Sequence, residues 1–412
     1  MSYLSFLIAN RRFLGFGFLL ALSSSFGQTY YISVYGGEIR EVFDLSHGGF
    51  GTVYSIGTLA SGLLLMWLGT VIDRVDLRIY GPSLLLGLAT ACVLMAITPG
   101  VVVLAFTIFM LRMFGQGLLS HAATTSMARY FGSGERGRAV SIAALGFPVA
   151  QGIFPAMAVI LMAGLGWRGA WWASAAILVA IVPIALWLLR GHSKRHDAML
   201  EKTKDDTGAK SGAPKRRQWT RAEVIRDPRF ALTMLAVMGP SFIVTGTMFH
   251  QVHLVEAKGW TLGWFAASFI GYSATQVGTA LIAGSLVDRF GAVRLMPFYL
   301  LPLACGMLVL SLYDQLWAAP AFMFLVGITG GFTSNLANTV WAELYGVLNL
   351  GSIRALVASF SVIASALSPV TFGVLFDRGV SFEAVAVGSI FYTLFGAALL
   401  TLVYRRGGMV RG

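Results

Sequence analysis

An arginine and three histidines are the ionisable side chains that this chain places where water is scarce. Arg112 lies in LRMFGQG, midway along an apolar run, with Gly115 and Gly117 just behind it. A charge in hydrocarbon costs at least about 2.5–3.5 kcal/mol, so its presence points to a function or to carbonyls and side-chain oxygens that satisfy it. His250 and His253, in GTMFHQVHLVE, are three residues apart and share one helical face. Histidine titrates near neutral pH, which suits a proton carrier; the same pair also serves as plain hydrogen-bonding groups near the end of a span. His121 lies towards the end of its run. No Asp or Glu falls near the middle of any apolar run. A proton relay therefore has to use a histidine, use Arg112 indirectly, or travel with an acidic solute.

Uncharged polar and aromatic groups accompany these four. They are Gln28, Tyr30 and Tyr31 in the first run, Gln151 in the fifth, Tyr272 and Gln276 in the eighth, and Asn335, Asn338 and Trp341 in the tenth. Tyr272 with Gln276, and Asn335 with Asn338, share a face at i+4 and i+3. In lipid such groups turn inward and bond across helices, so each alone reads as interhelical glue. Arg112, His250, Gln28, Tyr31, Gln151, Tyr272, Gln276, Asn335 and Asn338 together form the candidate substrate or coupling set.

The elements that must carry these residues are membrane helices. The chain has 412 residues, 57% hydrophobic and 12% charged, with a mean hydropathy of +0.75. Apolar segments of about 20 residues recur along nearly the whole length, so lipid is the main solvent. The net charge of +12 does not indicate nucleic acid, because the basic residues sit in short loops and one linker. Cys92 and Cys305 both fall inside apolar segments and read as small buried packing residues. No metal-ligand cluster, no Ser/His/Asp grouping and no P-loop is present. An enzyme and ATP drive by this chain are therefore excluded as readings, and no cofactor is expected.

The first span begins at Arg11-Arg12 and runs to about Tyr35. An arginine pair before an apolar run mimics a secretory signal, but no cleavage site is clear and many spans follow. Later spans lie near 50–72, 79–97, 101–124, 139–164, 170–190, 230–254, 262–287, 293–312, 317–341, 353–375 and 384–404. That makes twelve. Loops on the N-terminal side then hold 25 of the 30 Lys and Arg residues, against Arg40, Arg168, Lys258 and Arg378 on the other. By the positive-inside rule both termini are cytoplasmic. The polar stretch from Arg190 to Arg229 reads as a flexible linker, giving bundles at 1–190 and 230–412 about a linker at 191–229.

Two sequences repeat once per half. GTVIDRVDLR (Gly69–Arg78) recurs as GSLVDRFGAVR (Gly284–Arg294), with Asp73 and Asp288 215 residues apart. ARYFGSGERGRA (Ala128–Ala139) corresponds to AELYGVLNLGSIRA (Ala342–Ala355). Two matched loops indicate duplicated helix bundles. On these residues the whole chain resembles the major facilitator superfamily, whose G-x3-D-R-x3-R/K signature joins the second and third helices and is echoed between the eighth and ninth. The second copy has one extra residue before Arg294.

The resemblance implies an all-α fold of two six-helix bundles around a central cavity lined by the first, fifth, seventh, eighth and tenth spans. It also implies that R-x-x-G-x-G at Arg112 orients substrate or proton coupling. Asp73, Arg74 and Arg78, with Asp288 and Arg289, are the expected conformational switch; Asp73 ends a helix beside Arg74 and Arg78 and is expected to hold the two bundles in one state through charge-assisted bonds. GFPVAQGIFP, with Pro148 and Pro155, predicts a bent fifth helix but lacks the G-P-x-x-G-G spacing of the family's antiporters. The expectation is a monomeric secondary transporter of the cytoplasmic (inner) membrane, working by alternating access as a symporter. Its partners are a small polar organic solute, protons and membrane lipids. Arg112 and the histidines favour an organic anion such as a monocarboxylate, and HQVHLVEAKGW resembles loops of bacterial monocarboxylate and oxalate carriers. The eighth span lacks the internal Asp and Arg, and the first span the lysine, of monocarboxylate carriers. The alternative is efflux of amphiphilic compounds by proton antiport.

Overall fold

The computed structural model describes residues 3–192, 219–346 and 349–406, and these are helical almost throughout, with no strand among them. Among the described residues, nine helices are long and apolar enough to cross a membrane. One of them, Gly146–Leu188, is two spans joined at Gly166, whose φ of 69° and ψ of 169° interrupt the helix. Only glycine adopts that conformation without strain. Leu262–Phe290 and Leu301–Leu312 complete twelve spans. The chain is thus an all-α integral membrane protein with the expected span count.

The chain forms two compact units: Met1–Tyr35 with Ile56–Gly212, and Gly36–Ser55 with Ala213–Gly412. The segment Gly36–Ser55 falls in the second unit although it lies within the 1–190 stretch expected for the first bundle. The helix His47–Leu68 accordingly begins in one unit and ends in the other.

In the first unit Tyr3–Ser23 packs along Gly146–Leu188. A Cβ at Gly146 would come within 2.4 Å of the Phe18 carbonyl oxygen, so the two backbones touch. Arg168, on the short turn after Gly166, donates to the carbonyls of Ala96 and Thr98 at 2.8 and 3.1 Å. It thereby closes the C-terminal end of Leu77–Ile97, where carbonyls lack helical partners. Pro148 stands in the first turn after a break at Leu145, where its missing N–H costs little. Of the two prolines expected to bend the fifth helix, only Pro155 is inside it.

In the second unit Leu262–Phe290 packs along Ala318–Tyr345. Gly327 and Gly331 let the backbones meet: Cβ atoms there would lie 2.6 Å from the carbonyl oxygens of Tyr272 and Gln276. Such small-residue seams replace hydrophobic drive when lipid surrounds the helices. Lys258, whose side chain is 1% exposed, donates to Asp314 at 2.6 Å and lies 2.8 Å from Glu383, so the 7–8, 9–10 and 11–12 connections are tied together.

Most of the expected linker, 193–218, lies outside the described residues. Its last part, 219–229, carries structure of its own. Thr220 and Glu223 form a capping box that starts the helix Arg221–Arg226, and the Trp219 ring meets Tyr345 at 5.4 Å. Asn349 Nδ2 donates to the Trp219 carbonyl at 2.9 Å. Composition alone made this stretch look like linker; a cap and one tryptophan are enough to dock it. Cys92 is buried as expected, whereas Cys305 is exposed on its span.

Candidate functional site

The first unit builds its polar centre from an interrupted helix. After Ser23 the first span tightens into a 3-10 turn, Ser24–Gly27, and Gln28 is extended at φ −86° and ψ 153° before the helix resumes at Thr29. The break leaves the Gly27 carbonyl outside the helical ladder. Arg112 answers it, donating from Nη1 to Gly27 O at 3.1 Å and to Thr29 Oγ1 at 3.4 Å. Arg112 is only 1% exposed. It opens a π-helical stretch, Arg112–Leu119, inside the fourth span, and π-bulges are common at functional sites. Gly115 faces the break directly, since a Cβ there would lie 2.6 Å from the Gly27 Cα.

Other first-unit candidates divide. The Phe154 ring packs on Phe26 at 4.8 Å, so the fifth span reaches the break, and Gln151 lies one turn before Phe154. The Gln151 Oε1 is buried with no hydrogen-bond partner among the described residues. Gln28 is half-buried. Tyr31 behaves differently from a cavity lining. It is fully buried, bonded to Ser174 Oγ at 2.6 Å and to the Tyr35 hydroxyl at 3.2 Å, with its ring edge-on to Trp171. The periodicity that placed it inward does not distinguish a core hydroxyl chain from a lining. His121 sits beside Gly69 of the repeated turn.

In the second unit the seventh span breaks at His250, between Pro228–Phe249 and Gln251–Lys258. His250 is 4% exposed. Its Nε2 lies 2.9 Å from the Pro369 carbonyl, which can only accept, so Nε2 carries a proton. The His47 ring stands 5.8 Å from His250 and 4.5 Å from His253, and Phe376 contacts all three. Arg40 Nη1 lies 3.2 Å from His47 Nε2, which therefore accepts. Asp377 caps the start of His47–Leu68: its carboxylate accepts from Ser46 Oγ at 2.7 Å and from the His47 and Gly48 amides at 2.9 and 2.8 Å. An acid at a helix N-terminus also meets the favourable end of the dipole. His47 and Asp377 escaped the sequence reading because their pairing spans 330 residues.

Tyr272, Gln276 and Asn335 occupy a different place, the seam between the eighth and tenth spans. Asn335 Nδ2 donates to the Ala280 carbonyl at 2.9 Å. A Cβ at Gly330 would lie 3.1 Å from Gln276 Nε2 and 3.4 Å from the Tyr272 hydroxyl. Asn335 is thus a bond across helices, and Gln276 Oε1 is buried without a hydrogen-bond partner among the described residues. The side chain of Asn338 lies outside the described residues. Trp341 is core, with Phe230 and Tyr345 against it.

Within each unit the repeated turn is held by partners from outside the motif. Arg78 pairs with Asp76 at 2.7 Å, not with Asp73. Asp76 caps the helix Leu77–Ile97, and its hydrogen bond to Arg78 holds its carboxyl below the usual range. Arg74 is exposed. The residue that grips the turn is Arg129, which donates to the carbonyls of Ile72 and Asp73 at 2.7 and 2.9 Å and lies 3.5 Å from the Asp73 carboxylate. In the second half Asp288 and Arg289 are exposed, and Glu343 does the gripping, accepting from the Ala292 and Val293 amides at 2.9 and 3.1 Å. Arg129 and Glu343 occupy the same position in the second repeated motif. Opposite charges thus hold opposite poles of equivalent turns, carbonyl ends in one and amide ends in the other. Asp73→Asn should cost at most about 0.5 kcal/mol, since its carboxylate is 63% exposed. Arg129→Ala should cost about 1–3 kcal/mol by freeing two carbonyls. Melting temperatures in detergent rank the two, and equal losses would put the grip back on Asp73.

A family model described as Major Facilitator Superfamily matches residues 17–272, more than half the chain. The chain belongs to the major facilitator superfamily. Membership makes it a multi-pass membrane transporter rather than an enzyme, moving a small-molecule substrate. No curated protein matches in sequence. Solved structures share the superfamily fold. A bacterial homolog to the human lysosomal transporter Spinster, inward-facing and occupied, matches at 15% identity and a TM-score of 0.70, covering 96% of this chain and 97% of that one. Its unoccupied form gives 14% and 0.69 over the same shares. A variant of the nucleoside transporter NupG gives 12% and 0.73, covering 95% of this chain and 99% of that one. At these identities the likeness concerns fold alone.

Proposed function

We propose that this superfamily member is a secondary transporter of a small organic anion such as a monocarboxylate, working by alternating access between halves at 1–190 and 230–412, with Arg112 at its polar centre. One contact carries the reading: a nearly fully buried guanidinium on a π-helical turn, bonded to the carbonyl released by a break in the first span. Broken helices at membrane depth are where carriers of this kind assemble solute sites. The formal charge of Arg112 favours an anion, and Gln28 and Gln151 supply neutral polar groups near the break. The Lys and Arg distribution supports cytoplasmic termini. Counterflow of labelled short-chain carboxylates into liposomes holding the purified protein tests the substrate class. Exchange of amphiphilic cations with no carboxylate exchange would overturn it.

The proton enters the proposal through His250. Its Nε2 proton is committed to Pro369, so further protonation falls on Nδ1 and makes the ring cationic. That charge would face His47, His253 and Arg40, with Asp377, Glu256 and Glu383 as nearby acids. His250→Gln keeps a donor for the Pro369 carbonyl but cannot gain a proton. Uptake driven by an imposed pH gradient should therefore lose most of its pH response in His250→Gln and less in His253→Gln. A gradient that drives wild type and His250→Gln equally removes histidine as the carrier.

A further inference from the structure

A cleft of about 810 Å³ opens where the beginning of the first span meets the end of the sixth, and Arg11, Arg12, Arg190 and His192 are among its lining residues. Among the described residues no carboxylate pairs with any of the three arginines. His192 is fixed instead by rings, stacked on Phe13 at 5.3 Å and edge-on to Tyr130 at 4.7 Å. The Arg12 guanidinium lies over the Trp187 ring at 5.2 Å. Trp187 is 46% exposed; Ile184 and Leu186, just before it in the sixth span, and Ile8, on the cleft wall four residues before Arg12, are also exposed. An exposed tryptophan at a span end marks the membrane–water boundary. The basic cleft therefore lies at headgroup level, with Ile8 on its wall, and exposed apolar residues of the sixth span lead away from it towards the acyl region.

We propose that this cleft binds the phosphate-bearing headgroup of an anionic phospholipid, with Arg11, Arg12 and Arg190 as its ligands. Basic pockets between span ends take such headgroups, each Lys or Arg near the surface adding to the attraction. Guanidinium forks meet two phosphate oxygens at once, which a lone ammonium does not. The inference rests on the membrane-spanning fold and is independent of which solute the protein carries.

Native mass spectrometry of the full-length protein, released from detergent with added phosphatidylglycerol or phosphatidylcholine, tests it. Wild type should retain phosphatidylglycerol and little phosphatidylcholine. R11Q/R12Q/R190Q should lose phosphatidylglycerol occupancy by at least about tenfold, while R221Q/R226Q, which removes two other arginines, should match wild type. R190Q alone, at the rim, gives an intermediate loss if the triple variant does not fold. Equal retention by wild type and the arginine variants overturns the proposal. So does protection against heat by millimolar inorganic phosphate, in phosphatidylcholine nanodiscs, equal to that given by phosphatidylglycerol, because the site would then serve a soluble anion.

Discussion

Arg112→Ala should abolish solute exchange in liposomes while the protein remains folded and monodisperse. The second half of that expectation comes from two terms of similar size. Losing the charged donor strips the Gly27 carbonyl of a hydrogen bond of about 1.5–3 kcal/mol. Removing the charge also relieves an insertion cost of about 2.5–3.5 kcal/mol. The terms oppose each other, so stability should shift by only about 1 kcal/mol. Transport has no such compensation, because the cation that attracts an anion is gone. Arg112→Lys should not restore exchange: Nη1 alone serves Gly27 O and Thr29 Oγ1, and an ammonium engaged there has no second planar nitrogen with which to meet a carboxylate in bidentate fashion. Size-exclusion profiles beside counterflow rates separate folding from function. Full exchange by the alanine variant would reduce Arg112 to a helix tie.

Gly27→Ala should remove folded protein altogether. A Cβ on Gly27 would stand 2.1 Å from the Leu111 carbonyl oxygen and 2.8 Å from the Gly115 Cα, and both neighbours are backbone. Backbone cannot rotate away as a side chain can, so the cost should reach about 3 kcal/mol or more. Gly115→Ala meets the same wall from the other side, at 2.6 Å from the Gly27 Cα. Gly117→Ala is the contrast: its nearest neighbour outside the turn is a Leu65 methyl at 3.4 Å. Yield of monodisperse protein should fall for the first two variants and hold for the third. Equal yields for all three would mean that the first and fourth spans do not touch here.

The contrast between Gly115 and Gly117 shows how far the sequence could be read. Both glycines follow Arg112 and either could admit a neighbour; only the fold reveals which one does. Span positions were legible because apolar runs of about 20 residues leave lipid as the sole consistent solvent. Arg112 was legible because a charge in hydrocarbon is conspicuous. The wiring of the repeated turn was not. Asp73, Arg74 and Arg78 are adjacent in sequence and look like partners, yet the grip comes from Arg129, 56 residues from Asp73. Its counterpart Glu343 was visible as a matched position, but the change of sign concealed a shared role. His250 was recognised as an unusual residue at depth, while its companions His47 and Asp377 come from segments that no local pattern links to it.

The helix His47–Leu68 has a consequence for the order in which this protein can be made. Its first turns belong to the second unit, and the carboxylate that caps them arrives 330 residues later in synthesis. Until Asp377 emerges, that helix end waits without the carboxylate for its His47 and Gly48 amides, and the later unit lacks one of its own pieces. A transporter cut within 193–218 and produced as two polypeptides would leave the second fragment without residues 36–55, and so without the rings of Phe50 and Tyr54 that cover Phe249. The two fragments should therefore accumulate only when made together, each acting as the other's chaperone.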